Sequence, residues 1–134
     1  MKLLYSDMLP VGIDDGQETV ADCIVRKIQE SDAVEIAVGY VSRASLDELN
    51  DLVLRCGIDH ISLTIGMYYV EGMPEGIYHT AVAINQRWND AGIGEIRIVK
   101  SFKYHGKIFA FYKDGQVHSA IIGSANLGVL KLEA

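Results

Sequence analysis

A chain of 134 residues in which 49% are hydrophobic is long enough to bury a core, so we expect one globular domain over residues 1–134 and exclude a disordered segment. The formal net charge of −6 argues against a generic nucleic-acid-binding protein. No apolar run approaches the roughly 20 residues needed to cross a bilayer, so the sequence predicts a cytoplasmic protein with no membrane partner.

The distribution of charge and the two cysteines indicate which kinds of site to expect. Residues 1–95 carry 6 Lys or Arg and 16 Asp or Glu, whereas residues 96–113 carry five cations and no acid. Cys23 and Cys56 lie in apolar helical patterns without the spacing of metal ligands. We therefore expect a local basic stretch, two buried free thiols and no metal site.

The first two thirds of the chain alternates helical and strand patterns. Apolar residues at four-residue spacing predict an amphipathic helix over 18–30, and an apolar run predicts a buried strand over 34–41. Ser45 and Glu48 match a capping box, which predicts a second helix that continues to about Cys56. A strand over 61–65, a loop over 66–76, a third helix over 78–91 and a strand over 95–100 follow. This alternation predicts an α/β fold with a mostly parallel sheet.

The last third of the chain predicts a β-hairpin. Two strand-like runs, over 107–112 and 117–123, are joined by a segment that contains Asp114-Gly115. Asp-Gly between two such runs is typical of a tight hairpin turn. The predicted fold class is thus an α/β sandwich with a mixed, mostly parallel sheet, flanked by helices and ending in a C-terminal hairpin.

Two polar motifs flank this hairpin. They are His105-Gly106-Lys107 before its first strand and Gly123-Ser124-Ala125-Asn126 after its second. Because side chains alternate between the faces of a strand, His105 and Lys107 share one face, and Ser124 and Asn126 share a face of the neighbouring strand. We expect the four side chains to converge on one patch. A nucleophile, a cation and polar donors are what a phosphoryl-transfer site needs.

The paired motifs resemble the signature of the phospholipase D (PLD) superfamily, His-x-Lys followed by Gly-Ser-x-Asn. The resemblance covers most of the chain from about residue 60 onward. It is closest to the nuclease branch, particularly the metal-independent type II restriction endonucleases. It implies a PLD-like α/β sandwich and a phosphodiesterase that cleaves DNA as an endonuclease, with no cofactor and no metal.

The resemblance also implies a role for each motif residue. His105 attacks phosphorus and forms a phosphohistidine, Lys107 neutralises the phosphate, and Ser124 and Asn126 bind the substrate phosphate. The nuclease branch uses an acidic residue about ten residues beyond the Asn, and Glu133, at a shorter spacing, is the only candidate. One motif per chain implies a homodimer with His105 of both subunits in a shared site. We expect the chain to be the N-terminal fragment of a longer protein.

One departure from the superfamily pattern bears on the substrate. Lipid-processing members carry an Asp at the position of Tyr112, and Asp114 is interpreted as a turn former. This favours a nuclease over a lipase. Two alternatives stay open, namely a lipid-directed or other phosphodiesterase of the same superfamily, and a non-catalytic phosphate-binding or dimerisation module.

Several other residues are assigned a structural or binding role from their local sequence pattern. Trp88 is expected in the core, and His118 is interpreted as a hydrogen-bonded strand residue, with a place in the binding groove as the alternative. Tyr68, Tyr69 and Arg87 are candidates for contact with nucleic acid. For the two tyrosines, the reason is that their loop follows a strand end, where α/β proteins gather their sites.

Overall fold

The computed structural model describes residues 19–68, 72–100 and 106–122, and these residues form three helices and five strands. In chain order the elements are α1 (Val20–Gln29), β1 (Ala33–Val38), α2 (Arg43–Arg55), β2 (His60–Ile65), α3 (Glu75–Ala91), β3 (Gly94–Ile98), β4 (Ile108–Lys113) and β5 (Gln116–Ile122). Every predicted element is present. Some bounds differ by up to three residues, as at the end of β1 and the start of α3.

The strands form one mixed sheet in the order β3-β2-β1-β4-β5. β1 pairs in parallel with β2, and β2 pairs in parallel with β3. β4 is antiparallel to both of its neighbours, β1 and β5. Four strands therefore run in one direction and β4 runs against them. This confirms the predicted mixed, mostly parallel sheet and the PLD-like α/β fold class.

The hairpin between β4 and β5 closes through a two-residue turn. Asp114 and Gly115 have φ angles of 53° and 78°, the left-handed conformation that a type I′ turn requires at both central positions. The Asp114 N–H donates to the Asp32 carboxylate at 2.9 Å, which ties the turn to the start of β1. Asp114 is therefore a turn former, as predicted.

One pair of serines, Ser42 and Ser45, sets where α2 begins. The Ser42 hydroxyl accepts from the Ser45 N–H at 3.1 Å, and the Ser45 hydroxyl accepts from the Ser42 N–H at 3.0 Å. The predicted capping box of Ser45 and Glu48 is wrong, because a serine three residues after the cap completes the same reciprocal pair. The helix consequently starts at Arg43, and its first residue is a cation at the same end as the candidate site described below.

The core lies between the helices and one face of the sheet. α1 contacts α2 and α2 contacts α3, so the three helices lie side by side on that face. Alternate residues of the central strands point into this layer and are at most 2% exposed: Val34, Ile36, Val38, Ile61, Leu63, Ile65, Phe109 and Phe111. Trp88 of α3 is fully buried there, as predicted.

Both cysteines are free thiols, as predicted. Cys23 is buried, whereas Cys56 at the end of α2 is only half-buried, so the expectation of burial is confirmed for the first alone. Burial raises the pKa of the Cys56 thiol, and the neighbouring Arg55 opposes this rise. Within the three described segments, no helix has the length and apolar character needed to span a membrane.

Candidate active site

One end of every strand meets at the same edge of the sheet, which we call the carboxyl edge. Val38, Ile65 and Ile98 end β1, β2 and β3 and are partners in register. Ile108 begins β4 and pairs with Ile122, the last residue of β5. In open α/β sheets, ligands bind beyond the carboxyl ends of the parallel strands. The carboxyl edge is therefore where a site is expected on physical grounds.

Lys107 lies at this edge, one residue before β4. Its side chain is only 6% exposed. Ile108 pairs with Ala37, so Lys107 enters the sheet beside the end of β1, and strand alternation places it on the same face as Phe109. Lysine is almost never this buried unless something holds its charge. A cation in such low-dielectric surroundings attracts a phosphate far more strongly than one in water does.

The other predicted site residues lie outside the described residues; they are His105, Ser124, Asn126 and Glu133. What the structure does bring together is the pair of strand ends from which both motifs continue, Ile108 and Ile122. In this register, a regular continuation of β5 would place Ser124 on the face opposite to Lys107. Convergence of the four side chains therefore requires the chain to leave strand geometry after Ile122, and it stays a prediction.

Two tyrosines join the loops at the carboxyl edge. The Tyr68 hydroxyl donates to the Val41 carbonyl at 3.0 Å, and the rings of Tyr40 and Tyr68 meet edge to face with centroids 5.2 Å apart. Burial raises the pKa of Tyr68, and the hydrogen bond to the Val41 backbone works against that rise. The polar end of Tyr68 thus holds the β1–α2 loop. Tyr69, the other tyrosine that the sequence indicates, lies outside the described residues.

Sequence reasoning misses Tyr40. It follows Gly39, directly after the buried strand β1, so an aromatic residue just beyond a strand end is the available signal. Its position at the carboxyl edge depends on the pairing of β1 with both β2 and β4, which the local pattern does not specify.

A groove between α2 and α3 runs away from the carboxyl edge. Both helices follow parallel strands, so both begin at this edge. Arg87, a candidate from the sequence, lines the groove from α3, and Arg43, which the sequence does not single out, lines it from α2. His79 also lines it and forms an ion pair with Glu75 at 3.6 Å when protonated.

His118 lies at a distance from this edge. It is the extra residue of a β-bulge in β5, because Phe111 pairs with Ser119 and Tyr112 with Val117. The Ser31 hydroxyl donates to the Lys27 carbonyl at 2.5 Å, so the Nε2–H of His118 donates to Ser31 at 2.9 Å. This confirms the interpretation of His118 as a hydrogen-bonded strand residue. Across the described segments, no three His, Cys, Asp or Glu side chains are placed to hold a metal ion.

Comparison with known families adds an independent observation. The model of the family described as "NgoFVII restriction endonuclease N-terminal PLD domain" matches residues 18–134. The chain belongs to this family. The matched segment includes every described element and both motifs, which confirms the predicted resemblance at the level of a PLD-type restriction endonuclease domain. A comparison with curated proteins found no match. Membership of the PLD domain family indicates a nuclease domain that acts on phosphodiester bonds, with DNA as the substrate.

Proposed function

We propose that residues 1–134 form the catalytic domain of a restriction endonuclease that cleaves DNA without a metal ion, through a phosphohistidine on His105. The observation that carries the proposal is the buried Lys107 next to the Ile108–Ile122 pair, from which both motifs continue. The description of the matched family supports a place as the N-terminal domain of a longer enzyme.

The proposed reaction has two steps. A ring nitrogen of His105 forms a bond to phosphorus, and the bond from phosphorus to the leaving oxygen breaks. Lys107, Ser124 and Asn126 stabilise the charge on the non-bridging oxygens, a role in which one donor typically accounts for about 10²- to 10³-fold in rate. Water then attacks phosphorus, the P–N bond breaks, and neutral His105 is restored. Glu133 is the candidate acidic residue.

A homodimer completes the proposed site. His105 is consumed as the nucleophile, so a second group must protonate the leaving oxygen. Each chain carries one His-x-Lys motif. The partner subunit's His105 supplies the proton if the two carboxyl edges face each other across a two-fold axis. An isolated subunit would then be nearly inactive.

The test is cleavage of plasmid DNA in excess chelator, with the oligomeric state measured by light scattering. We expect nicking by a dimer of the wild-type protein, and none by His105→Ala. The control is His60→Ala, because His60 is exposed at the opposite end of β2 and should cut like the wild type. Brief reaction followed by alkaline denaturation should trap a DNA strand that is joined to His105 through its terminal phosphate.

Three outcomes would contradict the proposal. Activity that requires Mg²⁺ would exclude the metal-independent route, and activity that survives His105→Ala would exclude the phosphohistidine. A protein that binds DNA as a dimer but neither cuts it nor becomes covalently linked to a DNA strand would be the non-catalytic module instead.

A further inference from the structure

The groove between α2 and α3 is lined by two arginines. The chain has five arginines, all within the described residues. Three are ion-paired with a carboxylate: Arg26 with Glu30, Arg55 with Asp51 and Arg97 with Glu95. The two that form no ion pair in the described part of the chain, Arg43 and Arg87, are both exposed and both line this groove. In a chain of net charge −6, two such arginines in one groove favour an anionic ligand.

The floor of the groove presents a further donor. Asn50 is only 7% exposed, and its Oδ1 accepts from the indole N–H of Trp88 at 2.9 Å. Because an indole nitrogen is only a donor, the accepting atom of the amide must be the oxygen, and the NH₂ group points the other way. No described group accepts a hydrogen bond from that NH₂, which is open to solvent where Asn50 lines the groove. An accessible amide donor on the floor of the groove can donate to an acceptor that enters from outside.

The position of Arg43 is set by the helix facing it. A Cβ atom on Gly76, in the first turn of α3, would lie 3.3 Å from Cδ of Arg43, so the arginine stem packs on the bare backbone there. Arg87 lies eleven residues further along α3, about 16 Å along the helix axis. The groove has a volume of about 300 Å³, is open to solvent, and extends from the carboxyl edge. An anion that occupies both ends must be extended, as a chain of phosphates is.

We infer that this α2–α3 groove binds phosphates of the DNA backbone, with Arg43, Arg87 and the amide of Asn50 as the contacting groups. The inference deepens the proposed function and rests on it, because it identifies where DNA leaves the catalytic edge. Asp47 also lines the groove and repels a phosphate, but it is one carboxylate against two arginines. Such contacts position DNA without recognising its sequence.

The test compares two double variants of equal charge change in the complete chain. Arg43→Gln with Arg87→Gln removes the groove charges, whereas Arg26→Gln with Arg55→Gln removes two ion-paired arginines outside it, in the last turns of α1 and α2 away from the carboxyl edge. Binding of a fluorescent duplex is followed by anisotropy as the salt concentration is raised. Loss of two phosphate contacts should lower the slope of log K against log salt by about 1.8, and affinity at low salt should fall at least about tenfold. The control pair should stay close to the wild type.

Trp88 provides a second readout inside the groove. It is the only tryptophan in the chain, so its indole N–H gives one assigned signal in a ¹H–¹⁵N spectrum, and that N–H is bonded to Asn50. Duplex DNA should shift this signal in the wild type and in the control pair but not in the groove pair. Inorganic phosphate at the same phosphate concentration should shift it much less.

Equal behaviour of the two double variants would overturn the inference, and so would an indole signal that DNA leaves in place. An equal shift with inorganic phosphate would assign the groove to free phosphate rather than DNA. Hydrolysis of bis(4-nitrophenyl) phosphate, which is too small to reach the groove, separates the two proposals. If the Arg43→Gln, Arg87→Gln variant keeps this hydrolysis but binds DNA weakly, both the proposed function and the groove inference are supported. If the wild-type protein does not hydrolyse this substrate, the proposed function fails, and the DNA-binding data still decide whether the groove binds DNA.

Discussion

Gly94 allows β3 to pair closely with β2, and replacing it by alanine should destabilise the fold. A Cβ atom at this position would overlap the carbonyl oxygen of Ile61 and would lie 2.8 Å from the carbonyl carbon of the same residue. Real Cβ atoms essentially never approach within 3.0 Å. The obstacle is backbone rather than the end of a flexible side chain, so the strand itself has to move.

The cost of Gly94→Ala follows from that movement. The Ile61 N–H donates to the Ile93 carbonyl at 2.8 Å, and moving β3 outward by about 1 Å stretches this bond beyond the roughly 3.2 Å limit of a good hydrogen bond. Overpacking costs about 1–3 kcal/mol and a weakened ladder bond about 1 kcal/mol more. We expect the free energy of unfolding to fall by about 2–4 kcal/mol, a large part of the stability of a typical domain.

Urea unfolding followed by the fluorescence of the fully buried Trp88 measures this cost. The control is Gly92→Ala, two residues earlier, where φ is 70° and no atom lies within 4 Å of the added Cβ. That change carries only the conformational penalty of about 1–2 kcal/mol. If Gly94→Ala costs no more than Gly92→Ala, the close approach of Gly94 to Ile61 does not limit the pairing of β2 with β3, and the reasoning is refuted.

Three further predictions concern the carboxyl edge and the sheet. Lys107→Met should lower DNA cleavage about 10²- to 10³-fold in a plasmid assay, because the buried cation is lost. Lys113 is exposed at the other end of β4, so Lys113→Met should leave cleavage unchanged. Equal effects of the two substitutions would contradict a special role for the buried cation. Tyr68→Phe should lower the free energy of unfolding by about 1 kcal/mol in urea, because the hydroxyl bond to the β1–α2 loop is lost, and no change would show that water replaces it. The hydrogen bond to Glu35 raises the pKa of Tyr112 above its usual 10.0, so its stabilising contribution is complete below that pH and is lost as the pH rises through the folded-state pKa. The urea midpoint of the wild type should therefore fall more steeply above pH 10 than that of Tyr112→Phe, and parallel curves would contradict the assignment.

Local patterns in the sequence account for the elements but less well for their ends. They place the start of α2 one turn too late, because the sequence pattern of a capping box fits Ser45 and Glu48, whereas in the structure Ser42 and Ser45 form the reciprocal pair. They miss the start of α3 by three residues, since Pro74 caps it with no side-chain hydrogen bond and Gly76 in its first turn is a poor helix former. The contact with Arg43, a residue far away in sequence, explains why glycine occupies position 76.

The candidate site also has features that the sequence predicts and features that only the structure shows. His-x-Lys and Gly-Ser-x-Asn are short motifs whose chemistry is carried by residue type, so residue identity and spacing are enough to indicate a phosphate site and the family. The burial of Lys107 and the pairing of Ile108 with Ile122 depend on β4 lying between β1 and β5. Arg43 and the Asn50–Trp88 bond could not be found from local patterns, because the groove is made by two helices brought together by the order of the strands.

By itself, the amino-acid sequence determined the α/β class, the hairpin at Asp114-Gly115 and the family, because periodicity, turn chemistry and short motifs are encoded in neighbouring residues. The tertiary structure alone decided which strands are neighbours, that Lys107 is buried beside the start of β4, and which two arginines remain without a carboxylate among the described residues. Those properties arise from contacts between segments far apart in the chain, whose free energies depend on the packing of the whole sheet and its helices.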